Sequence, residues 1–363
     1  MADVWRRILY LLPTMSLNTI FLEEHMKSLK KAVALLLSLS TIFVFSACGQ
    51  KDDSTADVYT LKYGHSQPED HYTHKALLEM KAYVEEKSEG RLIIELYPNG
   101  QLGGDRQMIE ACQMGTLDMC NATTASFSAS CPTAGLFDLP FLFANDEEAY
   151  KVLDSEIGED ILASINEEAS GYRALSFGVS GLRHITNNIR PIHTPEDLKG
   201  IKLRTMENSI HLDMFRTLGA NPTPMSISEV FTSLQQNIID GQENPIANIY
   251  SYKFNEVQKY LSLTGHIYMP QLDIISTATW DNLPEDLQAI LMEGETVRRD
   301  AQRNYAKDFD AQALAEIEKT TEVNELTAEE LDQFRTACAP IYDKYKDQIG
   351  AELVDSVLDA VNG

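Results

Sequence analysis

Recognising a small carboxylate takes a fork of N–H donors fixed at the bottom of a crevice, and one arginine of this chain stands where such a fork belongs. Arg204 ends the run Ile201-Lys202-Leu203-Arg204, which reads as a strand ahead of a helix beginning near Glu207. A planar guanidinium at that strand end would point into the crevice and could hold both carboxylate oxygens with two parallel charge-assisted bonds; its plainer reading from position alone is a surface arginine paired with one of many acids. Arg183, in Gly181-Leu182-Arg183-His184-Ile185-Thr186-Asn187, sits at the turn between the first half of the chain and the second. Asn244, in Asp240-Gly241-Gln242-Glu243-Asn244-Pro245, offers an amide that can accept from a hydroxyl and donate to a carboxylate oxygen, or that only shapes the turn before proline. His65 lies just past a strand end beside Gly64, where α/β sheets present ligands; its plainer reading is a solvated loop histidine.

Signals for covalent or metal chemistry are weak. The chain has no GxSxG, Walker or HExxH motif, and Gly103-Gly104 fit a turn before a helix better than a phosphate cradle. His65, Glu69, Asp70, His71 and His74 crowd one region at a spacing that matches no common metal site, so no metal and no cofactor are expected. A net charge of −25 repels nucleic acid and anionic lipid at long range, so an anion site must be a local pocket of cations.

The N-terminus gives an address. Met26-Lys27-Ser28-Leu29-Lys30-Lys31 is basic, Ala32 to Phe45 is apolar, and Ser46-Ala47-Cys48-Gly49 follows, the order of a secretory signal. The apolar run is shorter than the roughly 20 residues of a spanning helix. Ser-Ala-Cys also suits a lipoprotein signal peptidase, which would make Cys48 the lipidated first residue; Phe45 stands where that motif usually has an aliphatic. Residues 1–47 are thus expected to be a signal segment with its true start at Met26, and 48–57 a lipidated tether. Cleavage would remove five Lys or Arg and three Asp or Glu, leaving a chain of net charge −27 placed outside the cytoplasm and anchored to the membrane. Cys112, Cys120, Cys131 and Cys338 then remain, as free buried thiols or in any of three pairings.

These residues need elements to hold them. Tyr59 to Tyr63, Arg91 to Tyr97 and Leu117 to Asn121 read as strands, alternating with helices over Tyr72 to Lys87 and Asp105 to Met114. The rhythm repeats with strands at Tyr172 to Phe177, Ile201 to Arg204 and Ile238 to Gly241, and helices at Glu207 to Leu218 and from the capping box Ser226-Ile227-Ser228-Glu229 to about Asn237. A long periodic helix over 284–318 follows, then another capping box at Thr327 to Glu330. Strand–helix alternation predicts α/β units with a largely parallel sheet.

The run Asn221-Pro222-Thr223-Pro224-Met225-Ser226-Ile227-Ser228-Glu229-Val230, followed by DGQENP, resembles the extracytoplasmic solute-binding proteins of tripartite ATP-independent periplasmic (TRAP) transporters, the DctP family. The likeness extends more weakly from about Tyr59 to the C-terminus. It implies a two-lobed periplasmic-binding-protein-like fold with an interlobe cleft, hinge strands and one long helix spanning both lobes. Lobe I is expected over 58–180 plus about 270–310, and lobe II over 181–269 plus about 311–363. The resemblance implies that Arg204 clamps a ligand carboxylate, that Arg183 faces the ligand, and that membrane permease subunits are the partners. Sialate-binding members carry an acid and a base where this chain has Thr123 and Ser126, which removes sialate. The expected ligand is therefore an organic acid read by Arg204, Arg183, Asn244, His65 and Thr123: a uronate or related sugar acid first, a dicarboxylate second.

Two other readings compete. A secreted enzyme acting on sugar acids would use Glu243 and a second acid, yet only one acid stands near the arginines. A ligand-sensing adaptor would use the same fold. Exported protein is expected to begin at a diacylglyceryl-modified Cys48 and to partition with membranes, and Cys48→Ala is expected to release it. Intact-mass measurement that finds residues 26–47 still attached contradicts this processing.

Overall fold

The computed structural model describes residues 57–363; the expected signal segment, the lipidation site Cys48 and the tether through residue 56 lie outside them. The strands are β1 (Tyr59–His65), β2 (Leu92–Tyr97), β3 (Met119–Thr123), β4 (Tyr172–Asn187), β5 (Lys202–Thr205), β6 (Asn221–Pro224), β7 (Gly241–Pro245), β8 (Tyr260–Leu263), β9 (Tyr268–Ser276) and β10 (Glu322–Glu325). The helices are α1 (Tyr72–Lys87), α2 (Asp105–Gln113), α3 (Asp146–Leu153), α4 (Glu156–Glu168), α5 (Ser209–Thr217), α6 (Ile227–Gln235), α7 (Ile246–Ser251), α8 (Thr277–Asn282), α9 (Glu285–Ile317), α10 (Ala328–Ile349) and α11 (Ala351–Asn362). Among the described residues no helix is long and apolar enough to cross a membrane.

Local chemistry explains the boundaries. His71 caps α1 through Nδ1, which accepts the Thr73 N–H at 3.1 Å, and the helix buries Leu77, Met80 and Val84 on one face. Glu229 Oε2 accepts the Ser226 N–H at 3.2 Å, and Glu330 does the same for Thr327 at 2.8 Å, so both expected capping boxes open helices.

The strands follow the order β2-β1-β3-β9-β4-β7-β5-β6, with β8 beside β4 and β10 beside β8. Pairing is parallel within β2-β1-β3 and within β7-β5-β6, but β9 and β4 run antiparallel to their neighbours. The largely parallel sheet expected from the helix–strand rhythm is thus a mixed one, because β4 and β9 carry the chain between the two halves and must run opposite ways. The DGQENP segment differs as well. The strand expected at Ile238 to Gly241 begins only at Gly241, since Asn237 takes a left-handed turn (φ 56°) and Ile238 is exposed. The Pro-rich run 221–224 is itself a strand, tolerated because β6 is the sheet edge where a missing N–H leaves no ladder bond broken.

β4 joins the two lobes. Its residues from Tyr172 to Leu182 pair with β9, and those from Arg183 to Asn187 pair with β7. The other long connector is α9, 33 residues and so roughly 50 Å long. Leu287 and Leu291 near its start join a core with β1, β2 and α1, whereas Ala313 and Ile317 near its end join a second core with α6 and β8. The C-terminal helices α10 and α11 pack on α5 and also on α3, α4 and the short helix Pro132–Asp138.

A buried charge cluster locks α9 to the connecting strands. Arg298 is fully buried, with Asp273 of β9 at 2.6 Å and Glu295 at 2.9 Å, and its Nη1 donates to Gln302 at 2.8 Å. Asp273 also accepts from Asn121 at 3.2 Å and from the Tyr63 hydroxyl. Burial pushes the Asp273 carboxyl well above its usual range, with Arg298 opposing and Glu295 adding to the shift. Gly178 lets the helix come this close, since a Cβ there would stand 2.6 Å from Gln302 and 2.8 Å from Arg298. Arg298→Met leaves the two buried carboxylates without their cation, so urea unfolding should show a loss of about 3–5 kcal/mol. A loss under about 1 kcal/mol, the range of an exposed pair, contradicts this role.

Candidate functional site

The parallel strands of both halves aim their carboxyl ends at one cavity, the position where open α/β sheets bind ligands. It measures about 900 Å³ and is lined from one side by Ser66, Asp105 and Thr123, and from the other by Arg183, Arg204, Met225 and Asn244. Two helix N-termini also border it, at Gly104-Asp105 of α2 and Ser226-Ile227 of α6. Their free N–H groups and partial positive charge favour an anion between them. A Cβ on Gly104 would stand 3.1 Å from Ser226 Oγ, so the two halves nearly touch at this rim.

Arg204 ends its strand as the sequence suggested and is 3% exposed. Its Nε and Nη2 donate to the Met225 carbonyl at 3.0 and 2.7 Å, which fixes the guanidinium plane, while Nη1 is sealed from solvent and has no partner among the described residues. Burial lowers its value to about 10, with the Glu243 charge opposing and Arg183 adding to the fall. It remains a cation at neutral pH.

Arg183 is held differently. Its Nε and Nη2 grip the Glu243 carboxylate at 2.5 and 2.9 Å, and Nη2 also reaches the Glu243 carbonyl at 2.6 Å. His266 Nε2 lies 3.2 Å from Glu243 Oε2, with Thr264 Oγ1 2.7 Å from its other ring nitrogen. Burial would raise the Glu243 carboxyl, but Arg183 and the His266 hydrogen bond outweigh that and hold it well below the usual carboxylate range. Such a carboxylate cannot serve as a general acid near neutral pH.

Asn244 has its amide fixed at both ends. Nδ2 donates to Gln242 Oε1 at 2.6 Å and Oδ1 accepts from Asn248 Nδ2 at 3.2 Å. Asn248 Oδ1 in turn accepts from His71 Nε2 at 3.0 Å, the nitrogen that carries the proton because Nδ1 takes the Thr73 N–H. Gln242 continues the chain by donating to Thr186 at 2.9 Å. Each amide orientation is therefore dictated by its neighbour.

Thr123 lines the cavity and its Oγ1 donates to Asp105 Oδ2 at 3.3 Å. The structure brings Arg204, Arg183, Asn244 and Thr123 together and leaves His65 apart. The His65 side chain is fully buried beneath the strand end, its Nε2 3.0 Å from His74 Nδ1, and it does not line the cavity. Burial, then the neighbouring His74 and His71, lower its value to about 3, so it is a neutral packing group. Sequence reasoning missed Asp105, which reads as an ordinary acid in a first helical turn. Its Oδ2 takes the Thr123 N–H and hydroxyl, and burial raises its carboxyl above the usual range against hydrogen bonds from Ser66 and Thr123. The four described cysteines are free and buried.

Residues 63–348 match the family described as bacterial extracellular solute-binding protein, family 7, or DctP. The chain is 34% identical, with a TM-score of 0.81, to the crystal structure of a sugar acid binding protein from Advenella mimigardefordensis in complex with galactonate, over 84% of this chain and 98% of that one. It is 33% identical to the 2,3-diketo-L-gulonate-binding periplasmic protein of Escherichia coli, covering 81% of this chain and 89% of the relative. It is 32% identical to the C4-dicarboxylate-binding periplasmic protein of Rhodobacter capsulatus, covering 83% and 91%. This chain belongs to the DctP family of extracytoplasmic TRAP solute-binding proteins, a family of receptors rather than enzymes.

Proposed function

We propose that this receptor captures a sugar acid, a monocarboxylate with a hydroxylated chain such as a uronate or an aldonate, and delivers it to TRAP membrane permease subunits while anchored by a lipid on Cys48. The observation that carries the ligand class is the mixed lining of the cavity. Beside Arg204 and Arg183 the wall offers Thr123, Ser66 and Ser126 together with the acids Asp105 and Glu110. Hydroxyls of a sugar chain can donate to those carboxylates and exchange bonds with those side-chain hydroxyls. For a second ligand carboxylate the remaining lining cation among the described residues, Arg106, is exposed and already paired with Glu110 at 3.1 Å.

In this reading Arg204, Arg183 and Asn244 hold the carboxylate, Thr123 and Asp105 read hydroxyls, and His65 supports the strand end from below. Closing around the ligand excludes water, which strengthens the attraction between the guanidinium groups and the carboxylate. The ligand then biases the hinge, because only the closed arrangement brings both walls to one molecule. Glu243, the acid an enzyme would have to use, is committed to Arg183.

Thermal shift and calorimetry with D-glucuronate, D-galactonate and succinate test the class. A sugar acid should raise the melting temperature with concentration, since a ligand bound only by the folded form stabilises it by mass action. Succinate should bind at least about tenfold more weakly, a difference of about 1.4 kcal/mol. Succinate binding tighter than every sugar acid contradicts the ligand class.

A further inference from the structure

The strand that carries Arg183 crosses between the halves at Gly181 and Leu182, where β4 stops pairing with β9 and begins pairing with β7. Gly181 has φ 97°, and a register shift lies between Val179 and Gly181. Against this crossing stands one carboxyl that the cavity does not use. Asp310, on α9, places Oδ2 4.0 Å from where a Gly181 Cβ would be, and accepts the backbone N–H of Ala247 at the start of α7. Pro245 Cβ also lies 3.9 Å from that Cβ position. Asp310 therefore touches both segments that position ligand-facing groups, two residues from Arg183 and three from Asn244.

Among the described residues no cation pairs with it. Oδ1 of Asp310 is sealed from solvent and has no partner among the described residues. From α3, Asp146 faces it with a like charge and Tyr150 with a phenol. From α1, Tyr72 lies close, its hydroxyl bound to the Ser180 carbonyl at 3.0 Å, and Lys75 is turned over the Phe309 ring at 5.4 Å. β9 contributes Tyr268, whose buried hydroxyl lies beside Tyr150. On α9 itself, Arg303 is stacked on Tyr150 at 4.2 Å and held by both oxygens of Asp154 at 2.6 and 2.9 Å.

We propose that Asp310 is a proton-binding site at the crossing between the two lobes, and that proton uptake there stabilises the backbone arrangement which sets Arg183 and Asn244. Two carboxylates in one poorly solvated place cannot both ionise cheaply, so the pair holds a proton that either acid alone in water would release. Burial first, and then Asp146, raise Asp310 from 3.8 to about 7 against the Ala247 hydrogen bond. The sign follows from linkage. A carboxyl raised in the folded state binds its proton there and not in the unfolded chain, so its stabilising contribution is full below the unfolded value and is lost as pH rises through about 7.

The test needs no ligand and so is separate from the proposed function. Thermal midpoints of the whole protein are measured from about pH 5.5 to about pH 8.5, a window bracketing the Asp310 value. Wild type should lose stability towards the alkaline end, whereas Asp310→Asn should lose less and should exceed wild type there. Asp146→Asn keeps Asp310 and removes its like-charge neighbour, so the alkaline loss should move to lower pH. Infrared spectra should show a carboxylic-acid carbonyl band that titrates near neutrality and is absent from Asp310→Asn. If that variant does not fold, the Asp146→Asn profile and the wild-type band decide. Superimposable pH profiles for wild type and the folded variants, or no acid band near neutral pH, overturn the proposal.

Discussion

Arg183 and Arg204 are both buried and both line one cavity, and like charges so placed repel more strongly as the local dielectric falls. Glu243 makes the arrangement tolerable. Its carboxylate takes two donors of Arg183 and lies in the field of Arg204, so the pair of guanidinium groups carries part of its counter-charge permanently. The grip also fixes direction. With Nε and Nη2 of Arg183 spent on Glu243, and Nε and Nη2 of Arg204 spent on the Met225 carbonyl, each guanidinium keeps Nη1 uncommitted. A site built this way is organised before the ligand arrives, and preorganisation removes part of the ordering cost of binding.

The rest of the fold serves that geometry. Parallel strands from two halves must end at one place, and each half achieves this with its own βαβ connections. Only β4, β9 and α9 then have to reconcile them. The buried Arg298 cluster fastens α9 to β9 and β4 through Asp273 and Ser176, so the long helix cannot slide independently of the connecting strands. The chain of oriented amides from His71 through Asn248 and Asn244 to Gln242 carries the same rigidity to the ligand side.

Much of this could be read from residues alone, and the exceptions have physical reasons. Capping boxes at Ser226 and Thr327 and the apolar face of α1 are local signals, and those helices begin where expected. The strand-end place of Arg204 was legible, but position alone left it as readily a surface arginine, because what fixes its guanidinium is the Met225 carbonyl, supplied by a later segment. The pairing directions of β4 and β9 were not legible, since nothing within either strand records which neighbour it will meet. Asp105 escaped because an acid in a first helical turn is common on electrostatic grounds alone. The fate of Glu243 depends on Arg183, 60 residues away in sequence, and on His266. His65 looked like a site residue from its strand end, but the side chain turns towards His74, a neighbour supplied by the next helix.

Calorimetry on Arg204 variants with the sugar acid that binds wild type best tests the central claim most directly. Arg204→Ala should weaken binding by roughly 2–5 kcal/mol, because it leaves a desolvated carboxylate without its partner. Arg204→Lys should also bind weakly, since a point charge cannot use the Met225 carbonyl and the ligand at once as a planar fork does. A folded Arg204→Ala protein that binds within about threefold of wild type, or under roughly 0.7 kcal/mol, would contradict the account.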